Sequence, residues 1–291
     1  MSAPVIDFRS DLPTRDGVGA AYLDPPEHHS GYAATYQSAY DLREEDVVLP
    51  LPRFLNLLDE AGIDVVLVFA RDARDTHGSH LSNEAVAAYA GSERRVRGLA
   101  AANPHRADES AEGIERAVAE YGFVGVNVSP WEQGLPADDR SYYPIYEKCV
   151  ELGVPVVLHT GINFGARIPM ELGRPLALDR VACDFPDLRI VAAHGGWPWV
   201  PEMVGVAWRH PNVYIEISGI RPRYLAQPGS GWEVLLQFGN SVLQDRILFG
   251  TDWPLQPFKR TVDEIRALPL KPAVMDKWLG LNAACLLRLD G

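Results

Sequence analysis

Eight short apolar runs recur along this 291-residue chain, and most intervals between them carry helical periodicity. The runs are 5–8 (VIDF), 65–69 (VVLVF), 96–101 (VRGLAA), 124–128 (VGVNV), 155–158 (PVVL), 190–193 (IVAA), 213–217 (VYIEI) and 247–250 (ILFG). Largely unbroken apolar runs of this length read as strands covered on both faces, and a helix between two of them returns the chain to a parallel neighbour. Helical patterns over 52–61, 82–91, 108–121, 141–152, 175–184 and 199–209 occupy the intervals, with Gly62, Gly122 and Gly153 placed as C-terminal stops. Eight repeats let a parallel sheet close, so the predicted fold class is α/β, a single (β/α)8 TIM barrel over residues 1–291. Its 47% hydrophobic residues suffice for a core of that size.

One segment breaks the rhythm. Residues 12–50 form a long proline- and aromatic-bearing insertion after the first strand, placed to act as a lid over the catalytic face or as the contact surface of a homodimer. The net charge of −12 and the lack of a basic patch argue against nucleic acid as a partner. No run approaches 18 apolar residues and the N-terminal stretch does not read as a leader, so neither a membrane nor export is expected and the cytoplasm is the default compartment. Cys149, Cys183 and Cys285 lack paired spacing and read as buried small hydrophobes in a reducing compartment.

The chemistry is concentrated where apolar runs end. PVIDFRSD (4–11), VVLHTG (156–161), IVAAHGG (190–196) and ILFGTDWP (247–254) each deliver an ionisable side chain to the mouth of the barrel. A lone strand-end histidine is more often structural; His159 and His194 on successive strands, with Asp252 on the last, are instead the ligand types of Zn, Mn or Fe. Two histidine clusters, Glu27-His28-His29 in the insertion and His77-Gly-Ser-His80 after the second strand, are expected on loops of the same face and could complete a site of one or two ions. Trp131, Trp197 and Trp253, together with Trp199, follow strand ends and could wall a ring-bearing substrate or simply pack beneath the loops. Arg71, Arg74, Arg167, Arg221 and Arg223 fall on loops of this face, whereas His105 and His210 read as structural. Glycine-rich phosphate loops and a GxSxG elbow are absent.

These segments, with GFVGVNVSP, YPIYEKCVELGVPVVLHTG, DFPDLRIVAAHGGWPW and DRILFGTDWP, resemble the amidohydrolase-related metal-dependent barrel enzymes, the group that includes carboxymuconate-semialdehyde and resorcylate decarboxylases. The resemblance implies a metal ligand at His159, an acid/base or second ligand at His194, and a metal ligand or water-activating group at Asp252. It fails at the first strand, where the family places two histidines one residue apart and this chain has Arg9-Ser10-Asp11. A guanidinium cannot ligate, so Asp11, His159 and Asp252 remain as three donors. Arg9 is then free to clamp a substrate carboxylate or to pair with Asp11 or Asp252. Asn127 ends the fourth strand, which removes a carboxylated-lysine centre.

The leading expectation is a metal-dependent hydrolase or decarboxylase acting on a carboxylated, cyclic small molecule, with His194 moving the proton. Two alternatives stand beside it: a non-haem iron or diiron monooxygenase using the histidine-rich loops, and a metal-free binding protein in which Arg9 replaces the metal's charge.

Overall fold

The computed structural model describes residues 3–23, 42–165 and 167–289. Eight parallel strands follow one another in chain order: β1 (Ile6–Ser10), β2 (Val65–Phe69), β3 (Val96–Ala101), β4 (Gly125–Val128), β5 (Val156–His159), β6 (Ile190–Ala193), β7 (Val213–Glu216) and β8 (Ile247–Leu248). Each lies within two residues of its expected place. β8 is the shortest, and just beyond it the chain passes Glu216 closely: a Cβ on Gly250 would collide with the Glu216 carboxylate.

Backbone hydrogen bonds close the barrel where the ladder of β8 ends. The Phe8 N–H donates to the Phe249 carbonyl (2.9 Å), Asp252 N–H to Arg9 (2.8 Å), and Asp11 N–H to Trp253 (2.8 Å). Inside the barrel Ile6, Phe8, Leu67, Phe69, Val157, Val191 and Leu248 form one cluster; a larger one lies between the strands and the surrounding helices. The helix Asn282–Leu287 adds Ala283 and Leu286 to the inner cluster and so plugs the end opposite the strand C-termini.

All six expected helices are present, from Leu51–Ala61 to Val200–Arg209. The sequence reading lacked the hairpin Arg71–Ala73/Ser79–Leu81 and the helices Glu233–Gly239 and Phe258–Arg266. The flanks of the 12–50 insertion pack on the barrel through Leu12, Val18, Tyr22, Val47 and Leu49. Glu27, His28 and His29 lie outside the described residues.

The cysteine reading is corrected: Cys149 is buried, but Cys183 and Cys285 are exposed, since the buried side of Leu176–Asp184 is supplied by Leu178, Val181 and Ala182. No helix among the described residues is long and apolar enough to cross a membrane.

Candidate active site

The site begins with an irregularity in β1. Asp7 pairs with Val66 but Ser10 pairs with Val68, so β1 carries one residue more than its neighbour over that stretch. Such a bulge re-aims side chains, and here the Arg9 guanidinium lies over the Phe69 ring at 4.2 Å, inside the barrel mouth. It is buried, ion-paired through Nε to Asp252 Oδ1 at 3.3 Å, and donates from Nη1 to Asn127 Oδ1 at 3.1 Å. Asp11 faces a second cation: its oxygens accept from Arg71 Nη2 (3.0 Å) and the Tyr22 hydroxyl (3.2 Å).

His194 and Asp252 both hold left-handed backbone, with φ of 65° and 58°. Non-glycine residues adopt this conformation at a cost and only where surrounding structure imposes it, commonly at functional turns. Gly219 shows what the two turns enclose. A Cβ there would sit 3.0 Å from His194 Nδ1 and 3.4 Å from Asp252 Oδ2, so the absence of a side chain keeps the space between them clear. The His159 and His194 ring centres are 4.6 Å apart, and the Trp131 edge meets His159 at 5.8 Å and His77 at 5.4 Å. His159 Nδ1 is buried without a hydrogen-bond partner among the described residues.

Burial dominates the electrostatics. It pushes His159 well below, and His194 to about 3 from, the ordinary imidazole value, and the nearby Arg9 charge acts in the same direction on both. The two rings are therefore neutral donors at physiological pH. Burial also raises the carboxyls: Asp7 to about 7 and Glu216 to about 8, while Asp252 rises against the opposing pull of Arg9. Asp11 is raised as well, by burial and by the charge of Asp252, with Arg71 and Arg9 opposing.

A hydrogen-bonded chain stands behind His194. Ser218 donates from its backbone to Glu216 Oε1 (2.6 Å), its hydroxyl lies 2.7 Å from Glu216 Oε2, and the same hydroxyl is 3.0 Å from His194 Nδ1. The Ser218 carbonyl lies 3.3 Å from that nitrogen and calls for an N–H there, which leaves the Nε2 lone pair of His194 uncommitted. Asp7 plays a different part, accepting from the Thr251 N–H and hydroxyl and locking β1 to the turn before Asp252. Neither Glu216, Ser218 nor Asp7 was expected from sequence. Glu216 sits in VYIEI as His159 does in VVLHT, so asking which strands carry an ionisable residue near the C-terminal end would have found it.

Above this floor opens a cavity of about 510 Å³, reached by His159, His194, Ser218 and Asp252 from below and walled by Ile162, Phe164, Trp197, Ile220, Tyr224, Trp232 and Leu255. Arg221 and Gln256 are its further polar members, Arg221 being ion-paired with Glu264. Arg9 and Asp11 are not among its lining residues, whereas Arg221 is, and Arg9 stands against Asp252.

Of the expected tryptophan wall, Trp197 lines the cavity; Trp131 packs beside it; Trp253 is buried against Phe258 and Phe54. His77 meets the edge of Trp131, which in turn meets His159, and His80 is exposed on the hairpin beside Asp72 and Arg74. His105 is held by the Gln133 carbonyl at 2.8 Å. Among the described residues, three ligand-type atoms come within 4.8 Å of one another at Asp179, Cys183 and His210, away from the mouth; the mouth donors stand further apart.

The amidohydrolase family profile, Amidohydro_2, matches residues 27–289. A γ-resorcylate decarboxylase from Rhodococcus jostii is 28% identical over 243 residues, covering 67% of this chain and 71% of the relative. A 2-keto-4-carboxy-3-hexenedioate hydratase from a Sphingobium species is 37% identical, over 98 residues that cover 28% of this chain and 29% of the hydratase. An uncharacterised TIM-barrel protein from Bordetella bronchiseptica superposes with a TM-score of 0.81 at 31% identity over 98% of both chains. A dihydroxybenzoic acid decarboxylase from Polaromonas sp. JS666, crystallised with manganese and 2-nitroresorcinol, superposes with a TM-score of 0.69 at 20% identity, covering 99% of this chain and 98% of that one. Two of these four proteins are decarboxylases and one is a hydratase, and none is described as a monooxygenase or a metal-free binding protein. With an Arg-x-Asp in place of the expected histidine pair but the strand-end His159, His194 and Asp252 kept around one cavity, the chain belongs to the amidohydrolase family of barrel enzymes.

Proposed function

We propose that this protein is a metal-dependent decarboxylase of a hydroxylated aromatic acid. The observation that carries the reading is the cavity itself: an apolar, aromatic-walled space of ring-accepting size whose floor is two neutral imidazoles and a carboxylate. Its apolar wall suits a ring, and Arg221 suits the anionic edge of one.

The donor types suit one divalent ion, which would have to draw them closer together than they stand here. His159 offers a buried imidazole nitrogen with no hydrogen-bond partner among the described residues, Asp252 a carboxylate oxygen not engaged by Arg9, and Asp11 a second carboxylate, which an ion would have to draw away from Arg71 or Tyr22. Manganese in the Polaromonas structure makes it the first ion to try, with zinc and iron as comparisons. When bound, such an ion would supply positive charge against oxygens of the substrate. The chain's own residues do the rest. Phe164, Trp197 and Trp232 hold the ring and exclude water; Arg9 fixes Asp252 in place. His194 Nε2 takes the proton of the ring hydroxyl and returns it to the ring carbon from which carbon dioxide departs, while Ser218 and Glu216 hold the imidazole in the orientation that exposes Nε2.

The test is to load the protein with manganese and offer 2,6-dihydroxybenzoate and related ortho-hydroxylated benzoates in deuterated water. Carbon dioxide release with deuterium at the vacated ring carbon is expected. Metal-loaded protein that releases none from this series, yet hydrates an unsaturated dicarboxylate, would refute the reading in favour of the hydratase chemistry.

A further inference from the structure

A second cluster of ligand-type side chains lies on the outside of the barrel, at the opposite end from the cavity. Asp179 and Cys183 are four residues apart on the helix Leu176–Asp184 and so share one face. His210 caps the helix Val200–Arg209 just before β7 and therefore stands at the N-terminal face of the barrel. Its Nε2 is 2.7 Å from Asp179 Oδ1, and donor atoms of all three residues fall within 4.8 Å of one another. Metal–ligand bonds of about 2.0–2.3 Å at tetrahedral angles place donors about 3.3–3.8 Å apart, so small side-chain rotations bring these three around one ion.

The cluster is also held in place. The His210 N–H donates to the Val206 carbonyl (3.0 Å), and its own carbonyl accepts from Arg246 Nη1 (3.1 Å), so the imidazole projects from a fixed backbone. His210 is buried, whereas Cys183 is exposed and Asp179 partly so, which leaves a path for an ion from solvent. Arg209 Nη1 contacts Asp179 at 2.8 and 3.1 Å, but its side chain is itself mostly exposed and can leave the carboxylate without creating a buried charge.

We propose that Asp179, Cys183 and His210 form a second metal site, selective for a thiolate- and imidazole-seeking ion such as Zn2+ over Mg2+ or Ca2+. A sulfur, a nitrogen and a carboxylate oxygen are three ligands of the type zinc takes, and magnesium and calcium prefer oxygen alone. The ion would send the thiol proton to solvent, take His210 in the tautomer that carries its proton on Nδ1, replace the His210–Asp179 hydrogen bond with one coordinate bond from Nε2 and one from the carboxylate, and tie one barrel helix to the end of the next. On the stability face of a barrel such a tie acts on the fold rather than on the reaction.

The thiol separates this site from the cavity, where no cysteine lies among the lining residues. Metal-free protein titrated with Co2+ alone is expected to develop a thiolate-to-cobalt charge-transfer band that persists in His159→Ala and disappears in Cys183→Ala. Cys183→Ala is also expected to weaken Zn2+ binding at this site by at least about tenfold. Unmodified protein supplies an independent reading, because Cys285 is a second exposed thiol outside the cluster. Zn2+ is expected to slow alkylation of Cys183 and leave Cys285 unchanged. No charge-transfer band, or equal protection of both thiols, overturns the proposal.

Discussion

Two turns of this molecule are written almost alike and do different work. HGGWP after β6 and TDWP after β8 each place an ionisable residue in left-handed backbone and follow it with Trp-Pro. Trp197 stays 39% exposed on the cavity wall, whereas Trp253 is only 5% exposed and stacks on Phe258, with ring centres 5.6 Å apart and planes 9° from parallel. The difference comes from what lies beyond each turn. Phe54 and Phe258, from helices packed over the β8 turn, supply a socket for one indole; the indole of the β6 turn faces open cavity. The ionisable partners differ in the same way: Asp252 is tied to a buried guanidinium, His194 to the Ser218 hydroxyl. A sequence motif therefore fixes where a side chain starts, and the neighbouring helices decide whether it binds or packs.

The most severe way to strain this comparison is at the ionisable pair. Asp252→Asn and His194→Gln are both expected to lower kcat by about 10²–10⁴-fold in a decarboxylation assay. Only Asp252→Asn is expected to cost about 3–5 kcal/mol in denaturant unfolding as well, because it leaves Arg9 buried without its counter-charge. Equal stability losses in the two variants would show that the Arg9 pair is not what sets the turns apart.

At the indoles the expected order is the same but the readout reverses. Trp253→Ala should destabilise by about 3–5 kcal/mol through the cavity it leaves. Trp197→Ala should change stability by no more than about 0.5 kcal/mol and appear instead as a raised KM. An unchanged KM in Trp197→Ala would remove that indole from the substrate wall.

The mildest test is pH. His194, held at about 3, and His159, also depressed, contribute stability that is complete above the ordinary imidazole value of 6.5 and lost as pH falls below it. Asp7 and Glu216, raised to about 7 and about 8, contribute stability complete below the ordinary carboxyl values of 3.8 and 4.5 and lost as pH rises toward 8. Between about pH 7.5 and 8.5 the unfolded imidazoles have finished titrating and the carboxyls alone are changing among these four, so the Tm of metal-free protein should fall over that interval. A Tm that rises there would mean the two carboxyls are ionised throughout.

The barrel was legible because each strand is a largely unbroken apolar run, a signal that survives without knowledge of neighbours. So were His159, His194 and Asp252, since a polar residue ending such a run has one direction in which to point. Arg9 was legible in part: its pairing with Asp252 was one of the two roles expected of it, whereas the bulge between Asp7 and Ser10 and the Asn127 contact depend on neighbouring strands and leave no local signal. Asp7 was hidden for another reason. Within VIDF it counts as an interruption of an apolar run, and its meaning depends on Thr251, 244 residues away.

That distance has a consequence for how the protein comes into being. Arg9 and Asp252 meet across the seam where β1 joins the β8 turn, so the candidate site is among the features of longest sequence separation in the fold. Contacts of such separation bear the largest loop-closure cost and tend to be established late. Catalytic competence should therefore mark the final step of barrel closure during folding, and on heating or in mild denaturant it should vanish before the helices melt.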